Sequence, residues 1–436
     1  MSIELIILLS MLATFAITVF VVKMPAGVSL MLAAVVGALV GGQGFPLRHL
    51  VEGGFGFMEA ILIISSAMIF MKVMEYTGAL AGISKGLLKI FYKKPTLLII
   101  VLVIFTMFPG MLTGLSSTCI LTTGALAAPI LLAMGMPRLA VGSLIAMSAV
   151  FGEVAPPISI PVMIIGGGCD MPYIGFGKPL LITALPAALI VALYFRFRFL
   201  HNYDPENIRQ YLDQLKEKKY GIHLYIPLVF VVLYMIGEIS FHEFLPHLGV
   251  PLIFIIGALM GLLTKKGVHF IRASREAIRS ALPVMAILVG VGMFLQILAL
   301  TGVRGYLAVV ALDLPVAFRY LAAGIMPFLG SAYGSASIIG VPLVYVFIGK
   351  STLVVTSALV LMAALGDLMP PPALLCAYAG QIVKEKNHFR ILRVSLIPIV
   401  FSMLIGILIM SNLYGIYLRR SEGLDCKAYR GCPVGR

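Results

Sequence analysis

Two acids stand in sequence that offers them no solvent. Glu153 lies in Gly152-Glu153-Val154-Ala155-Pro156-Pro157, and Asp367 lies in Gly366-Asp367-Leu368-Met369-Pro370-Pro371. Each is flanked by long apolar runs. A charge at the centre of a membrane helix costs at least about 2.5–3.5 kcal/mol on insertion scales, so it needs a partner, water or a proton. The chemistry open to such a pair is to bind a cation or to relay protons, and both acids are expected to face a cavity between two halves of the chain. Each can also cap the N–H groups of a following half-helix, a role compatible with the first.

The residues around the acids point to interrupted helices. Pro156-Pro157 and Pro370-Pro371 cannot donate backbone hydrogen bonds, and each pair forces the residue before it out of helical geometry. Gly152 and Gly366 let the chain bend without a Cβ penalty. A helix broken at mid-bilayer bares carbonyls at one end, which can hold Na+, and N–H groups at the other, which can hold an anion. Upstream of each break lies a small-residue turn, Gly110 to Thr118 in the first case and Gly330 to Ser337 in the second. Hydroxyls at Ser116, Ser117, Thr118, Ser159, Ser335 and Ser337 can complete a polar site without a fixed charge. Ser117, Thr118, Ser159, Ser335 and Ser337 are the substrate-binding candidates.

These residues belong to a repeat. Gly142 to Pro157 aligns without a gap on Thr356 to Pro371, ending in G-E-x-x-P-P against G-D-x-x-P-P. Apolar stretches run at about 3–22, 26–42, 56–76, 96–110, 139–168, 179–199, 223–241, 249–264, 281–301, 319–333, 352–383 and 392–417. The Gly/Ser/Thr-rich pieces at 110–137 and 333–350 are too short to cross cleanly and read as re-entrant hairpins. With the N-terminus outside, Lys and Arg gather in the cytoplasmic segments around 85–94, 196–219, 265–279 and 384–393, while the outer segments hold only Arg48, Lys178, Arg304, Arg319 and Lys350. The basic tail is the one discordant piece. On this threading the second half runs opposite to the first, an inverted-topology repeat of the kind secondary transporters use.

The expected fold is therefore an all-α polytopic membrane protein with two re-entrant hairpins and two broken transmembrane helices. Residues 1–200 form the first repeat, 201–222 a cytoplasmic linker, 223–417 the second repeat and 418–436 a tail. The first stretch, Ile3 to Val22, has neither a basic leader nor a small-residue cleavage site and reads as a retained span.

Composition supports this class. Of 436 residues, 61% are hydrophobic and 11% charged, against roughly 45–50% and about 25% in soluble domains. A soluble enzyme and a disordered chain are excluded on that balance, because a globule needs a polar skin. The net charge of +14 follows from orientation in the bilayer and implies no nucleic-acid partner.

Other polar residues invite plainer readings. Lys72 and Glu75 are expected to pair at the cytoplasmic end of the third span. Arg304 and Arg319 read as solvated loop charges. The seven histidines, His49, His201, His223, His242, His247, His269 and His388, lie at loops or span ends without metal spacing. Val268 to Ser280 reads as a basic amphipathic helix on the cytoplasmic surface. Cys426 and Cys432 could pair if the tail lies outside.

The Gly114-Leu115-Ser116-Ser117-Thr118 tip, the Gly152-to-Pro157 break followed by Ile158-Ser159, and their echo at Gly330 to Gln381 resemble the large membrane subunit of TRAP transporters, within the wider ion-transporter superfamily. The resemblance implies an elevator mechanism in the inner membrane of a bacterium, with hairpins and broken spans moving against scaffold spans. It implies Na+, or H+, as coupling ion, held around Ser116, Gly152, Ala155 and Pro157 and around Gly334, Gly366 and Met369, with Glu153 and Asp367 added here as candidates. It implies uptake of organic acids such as C4-dicarboxylates, delivered by a periplasmic binding protein, beside a separate small four-span membrane subunit. Two features depart from that family: an acid follows each break glycine, and the first tip reads Ser-Ser-Thr. A stand-alone elevator carrier or cation/proton antiporter using Glu153 and Asp367 suits the acids as well. An intramembrane aspartyl protease is a remote third reading, from Gly366-Asp367 and Pro372-Ala373-Leu374.

Overall fold

In the computed structural model the chain is described over residues 2–411, apart from 174, 202, 215–220, 241–245, 247, 265–267, 314, 330, 348–350 and 371–372. The tail at 418–436, with Cys426 and Cys432, lies outside the described residues, as do Gly330, Pro371 and Pro372 at the second hairpin and break. Among the described residues the secondary structure is entirely helical.

The first half holds α1 (Ile3–Ala16), α2 (Ala26–Val40), α3 (Leu47–Phe55), α4 (Met58–Thr77), α5 (Ala79–Phe91), α6 (Pro95–Thr113), α7 (Ser116–Cys119), α8 (Ala125–Ala133), α9 (Arg138–Val154), α10 (Ile160–Gly168) and α11 (Gly177–Phe199). A linking helix, α12 (Pro205–Gln214), follows. The second half holds α13 (Ile226–Ser240), α14 (Val250–Thr264), α15 (Phe270–Leu300), α16 (Val303–Asp313), α17 (Val316–Ile325), α18 (Ala332–Ser335), α19 (Val341–Val346), α20 (Thr352–Ala364), α21 (Leu374–Val383) and α22 (His388–Met410).

Among the described residues, five helical segments are long and apolar enough to cross a membrane, and α3 with α4, bent by 40°, make a sixth. Shorter apolar helices make up the rest of the bundle; those of hairpin 2 and the second broken span are among them. The first hairpin is longer than its Gly/Ser/Thr-rich centre suggested. Its arms, Pro95–Thr113 and Ser116–Ala133, have 19 and 18 residues. In both hairpins the return arm starts with one α turn and then widens into a five-residue π segment, Ile120–Gly124 in the first and Ala336–Gly340 in the second.

Packing between the halves is reciprocal. α2 lies on α15, and α14 lies on α4, while α4 and α15 meet at the centre. Glycines permit these approaches: a Cβ on Gly290 would lie 2.4 Å from the Gly27 carbonyl oxygen, and one on Gly292 would lie 2.0 Å from that of Gly53. The hairpins and broken helices form the other part of the molecule, where α9 packs on α6, α11, α21 and α22.

The basic amphipathic segment from Val268 to Ser280 is not a separate surface helix. From Phe270 it is the start of α15, which runs unbroken for 31 residues through Pro283. Its small face, Ala273, Ala277 and Ala281, is buried while Ile271 is exposed. Amphipathicity marks the two faces and carries no signal for where such a helix stops.

Candidate ion site at the hairpin tips

The two breaks follow from proline sterics. Ala155, before Pro156, has ψ 145°, and Met369, before Pro370, has ψ 148°. Both are extended, so α9 and the helical turn that follows α20 stop there. The first hairpin reverses at Gly114, whose φ of 70° is left-handed and suits glycine. The second reverses through Ser331, an N-cap whose hydroxyl oxygen accepts the Gly334 N–H.

Breaks and tips meet. Asp367 Oδ1 accepts the Ala332 N–H at 2.8 Å, and its Oδ2 accepts the Ser116 hydroxyl at 3.0 Å. One carboxyl from the second break thus holds the tip of its own hairpin and the tip of the other half's. It caps the short turn of hairpin 2, not the half-helix that follows it in sequence.

Glu153 is different. It is fully buried, yet neither carboxyl oxygen has a hydrogen-bond partner among the described residues. The Tyr333 and Ser116 hydroxyls and the Asp367 carboxyl are the polar side chains that approach it, near enough to interact but outside hydrogen-bond geometry. The capping role open to Glu153 is therefore not taken up among the described residues. The two acids, equivalent in the repeat, lie in one polar cluster and are held differently.

The cluster is walled by close backbone contact. A Cβ on Gly152 would lie 2.6 Å from the Met107 carbonyl oxygen and 2.8 Å from Cys119 Sγ. One on Gly110 would lie 2.5 Å from the same sulfur and 2.8 Å from the Gly152 carbonyl carbon. Hairpin 1 can sit on the end of α9 only because both positions are glycine.

Residues 1–197 match the model of the Na+/H+ antiporter family. The matched span contains hairpin 1, the first break and Glu153. Among solved structures, the chain is similar to the YdaH transporter of Alcanivorax borkumensis, described as having an unusual topology, with a TM-score of 0.59 and 16% identity over 84% of this chain and 88% of that one. No curated protein sequence matches. The fold is that of a polytopic membrane transporter. The resemblance to TRAP large subunits is corrected by these matches, and the small four-span subunit and periplasmic binding protein that it implied fall with it. Gly/Ser tips and Pro breaks express what any chain needs to bare its backbone at membrane depth, so they mark an architecture shared more widely than one family.

The other site candidates divide by what they touch. The Ser335 hydroxyl donates to the Ser331 carbonyl at 2.5 Å and reaches the Ala363 carbonyl of α20 at 3.5 Å, while that of Ser337 donates to the Gly334 carbonyl of its own hairpin at 3.0 Å. Thr118 donates weakly to Met68 Sδ at 3.4 Å, Ser117 is half-buried, and the buried Ser159 hydroxyl has no partner among the described residues. Among the carbonyls, Gly366 accepts from the Met369 N–H, Met369 from the Ala373 N–H and Pro157 from the Tyr173 hydroxyl. The Ala155 N–H is spent on the Phe151 carbonyl.

Two tyrosines carry roles that the sequence did not flag. Tyr333, buried beside Glu153, is the one bulky residue in a turn otherwise made of small ones, and that contrast was its only signal. Tyr173 comes from the loop after α10 and bonds the first break. Nothing along the chain marks it. At the other end of the molecule Lys72 pairs with Glu75 at 3.1 Å, as the spacing predicts, and Glu276 of α15 joins them at 3.6 Å. Arg304 is no free loop charge: it pairs with Asp170 at 2.8 Å.

Proposed function

We propose that this protein is a secondary transporter, working as a single polypeptide, that exchanges a small monovalent cation, Na+ first, for protons at Glu153 and Asp367. The observation that carries this reading is the buried Glu153 carboxyl with both oxygens unpartnered beside a second acid. An ionised carboxylate without partners is expensive in such a place. A proton or a cation removes that cost, and the two compete for the same oxygens, so binding one releases the other. That competition is the minimum requirement for exchange. The match of residues 1–197 to the Na+/H+ antiporter family supports the same reading.

The cation ligands on this reading are the Glu153 and Asp367 carboxyls and the Ser116 hydroxyl, hard oxygens suited to an alkali ion. Hairpins and broken helices move together against α1–α4 and α13–α15, carrying the site across. The test is proton movement in proteoliposomes under imposed Na+, Li+ or K+ gradients, for the wild type, Glu153→Gln and Asp367→Asn. Loss of cation-driven proton flux in both variants supports the assignment. Full flux with unchanged ion dependence in both removes it.

A further inference from the structure

The first break has lost most of its local hydrogen bonds. Pro156 and Pro157 have no N–H to give, and the Ile158 N–H goes to the Met111 carbonyl at 3.1 Å. Tyr173 supplies what is left. Its hydroxyl accepts the Ser159 N–H at 2.8 Å and donates to the Pro157 carbonyl at 2.9 Å, while its ring stacks on Phe176 at 6.2 Å. One side chain therefore ties together two backbone groups of the link between α9 and α10, the nearer four residues from Glu153.

The loop that carries Tyr173 is itself tied down. Asp170, three residues upstream, accepts from Arg304 Nη2 at 2.8 Å. Arg304 stands in the first turn of α16, and the same nitrogen donates to the Tyr345 hydroxyl at 2.6 Å, with the guanidinium 5.8 Å from that ring. Tyr345 belongs to α19, the return arm of hairpin 2, which packs on α16. A run of contacts, carried between Asp170 and Tyr173 by three residues of main chain, thus leads from hairpin 2 through Arg304 to the backbone of the first break.

We propose that Tyr173 and Arg304 are positioning residues of one clamp, through which the docking of hairpin 2 on α16 sets the geometry of the first break. Its consequence for ion binding rests on the exchange reading above; the mechanical coupling does not. When α16 and hairpin 2 part, Arg304 cannot keep both Asp170 and Tyr345, the loop gains freedom, and the break loses its suture.

The test has two readouts on full-length protein. Hydrogen–deuterium exchange in detergent is followed at peptides covering 155–163, with 95–107 as internal control, for the wild type, Tyr173→Phe, Arg304→Gln, Asp170→Asn and Arg304→Lys. Tyr173→Phe, Arg304→Gln and Asp170→Asn each speed exchange at 155–163 by about threefold to tenfold, the worth of one hydrogen bond, and leave 95–107 unchanged; Arg304→Lys restores most of the protection. In proteoliposomes Tyr173→Phe, Arg304→Gln and Asp170→Asn raise the Na+ concentration for half-maximal flux by a similar factor with the maximal rate little changed, and Tyr173→Phe combined with Arg304→Gln is no worse than the stronger single variant. Unchanged protection at 155–163 in Arg304→Gln and Asp170→Asn, or effects that multiply in the double variant, overturns the clamp. Should Tyr173→Phe fail to fold, those two carry the test alone, since Asp170 is largely exposed (80%) and tolerant of change. Altered protection with no cation flux even in the wild type would uphold the clamp and sink the exchange reading instead.

Discussion

Ser116 and Asp367 lie 251 residues apart in the chain and 3.0 Å apart in the fold, hydroxyl to carboxylate, where the tip of one hairpin meets the break of the opposite half. Because Asp367 also holds the Ala332 N–H, its carboxyl bridges the two hairpin tips through the second break.

Breaking this bridge has a stability cost. Asp367→Ala strands the buried Ala332 N–H and the Ser116 hydroxyl, and each lost hydrogen bond is worth about 0.5–1.5 kcal/mol. Thermal unfolding in detergent should show a clearly lower midpoint for this variant. Asp367→Asn, which keeps an acceptor for the Ala332 N–H, should lose less than half as much. An alanine variant as stable as the wild type contradicts the stapling role.

Glu153 should behave in the opposite way. It makes no hydrogen bond among the described residues, so Glu153→Gln removes a burial cost and leaves stability equal or higher. Cation binding should fall by about tenfold or more, the worth of one charged contact. Na+-dependent protection against unfolding in the two proteins measures both effects at once. A destabilised glutamine variant would mean that the carboxyl has a structural partner in solution.

The glycine contacts give a steric prediction with its own control. Gly152→Ala drives a methyl group against the Met107 carbonyl and Cys119, and such overpacking costs about 1–3 kcal/mol. Gly86→Ala, within α5 and with nothing within 4 Å of the added carbon, should raise stability by about 0.5–1 kcal/mol, because it removes backbone freedom from the unfolded chain. Folded yield and unfolding midpoint should therefore move in opposite directions for the two.

The charged group where α4 meets α15 should matter little. Arg272 lies 3.1 Å and Lys72 3.6 Å from Glu276, and the Tyr76 hydroxyl donates to it at 2.5 Å, but the acid is more than a third exposed (38%). Glu276→Gln should cost under about 1 kcal/mol, and the difference should shrink as salt is added. A larger loss that is insensitive to salt would show that the network is shielded from water.

What the sequence determined by itself was local. Pro156 and Pro370 forced Ala155 and Met369 into extended geometry, and that steric effect needs no tertiary context, so both breaks were readable. Glu153 and Asp367 were conspicuous because ionisable groups are costly in apolar surroundings. The order of parts in the two halves was visible for the same reason, since membrane length and loop charge constrain every span separately. The division of labour between the acids was not readable. The motifs G-E-x-x-P-P and G-D-x-x-P-P are equivalent, and only the approach of Ser116 and Ala332 makes Asp367 a staple and leaves Glu153 open. Arg304 and Asp170, 134 residues apart, and Tyr173 at the first break were hidden likewise. A side chain's steric demand acts on its neighbours along the chain, whereas the partner of a polar atom is whichever distant group the packed helices bring within about 3 Å, and that was decided by the tertiary structure alone.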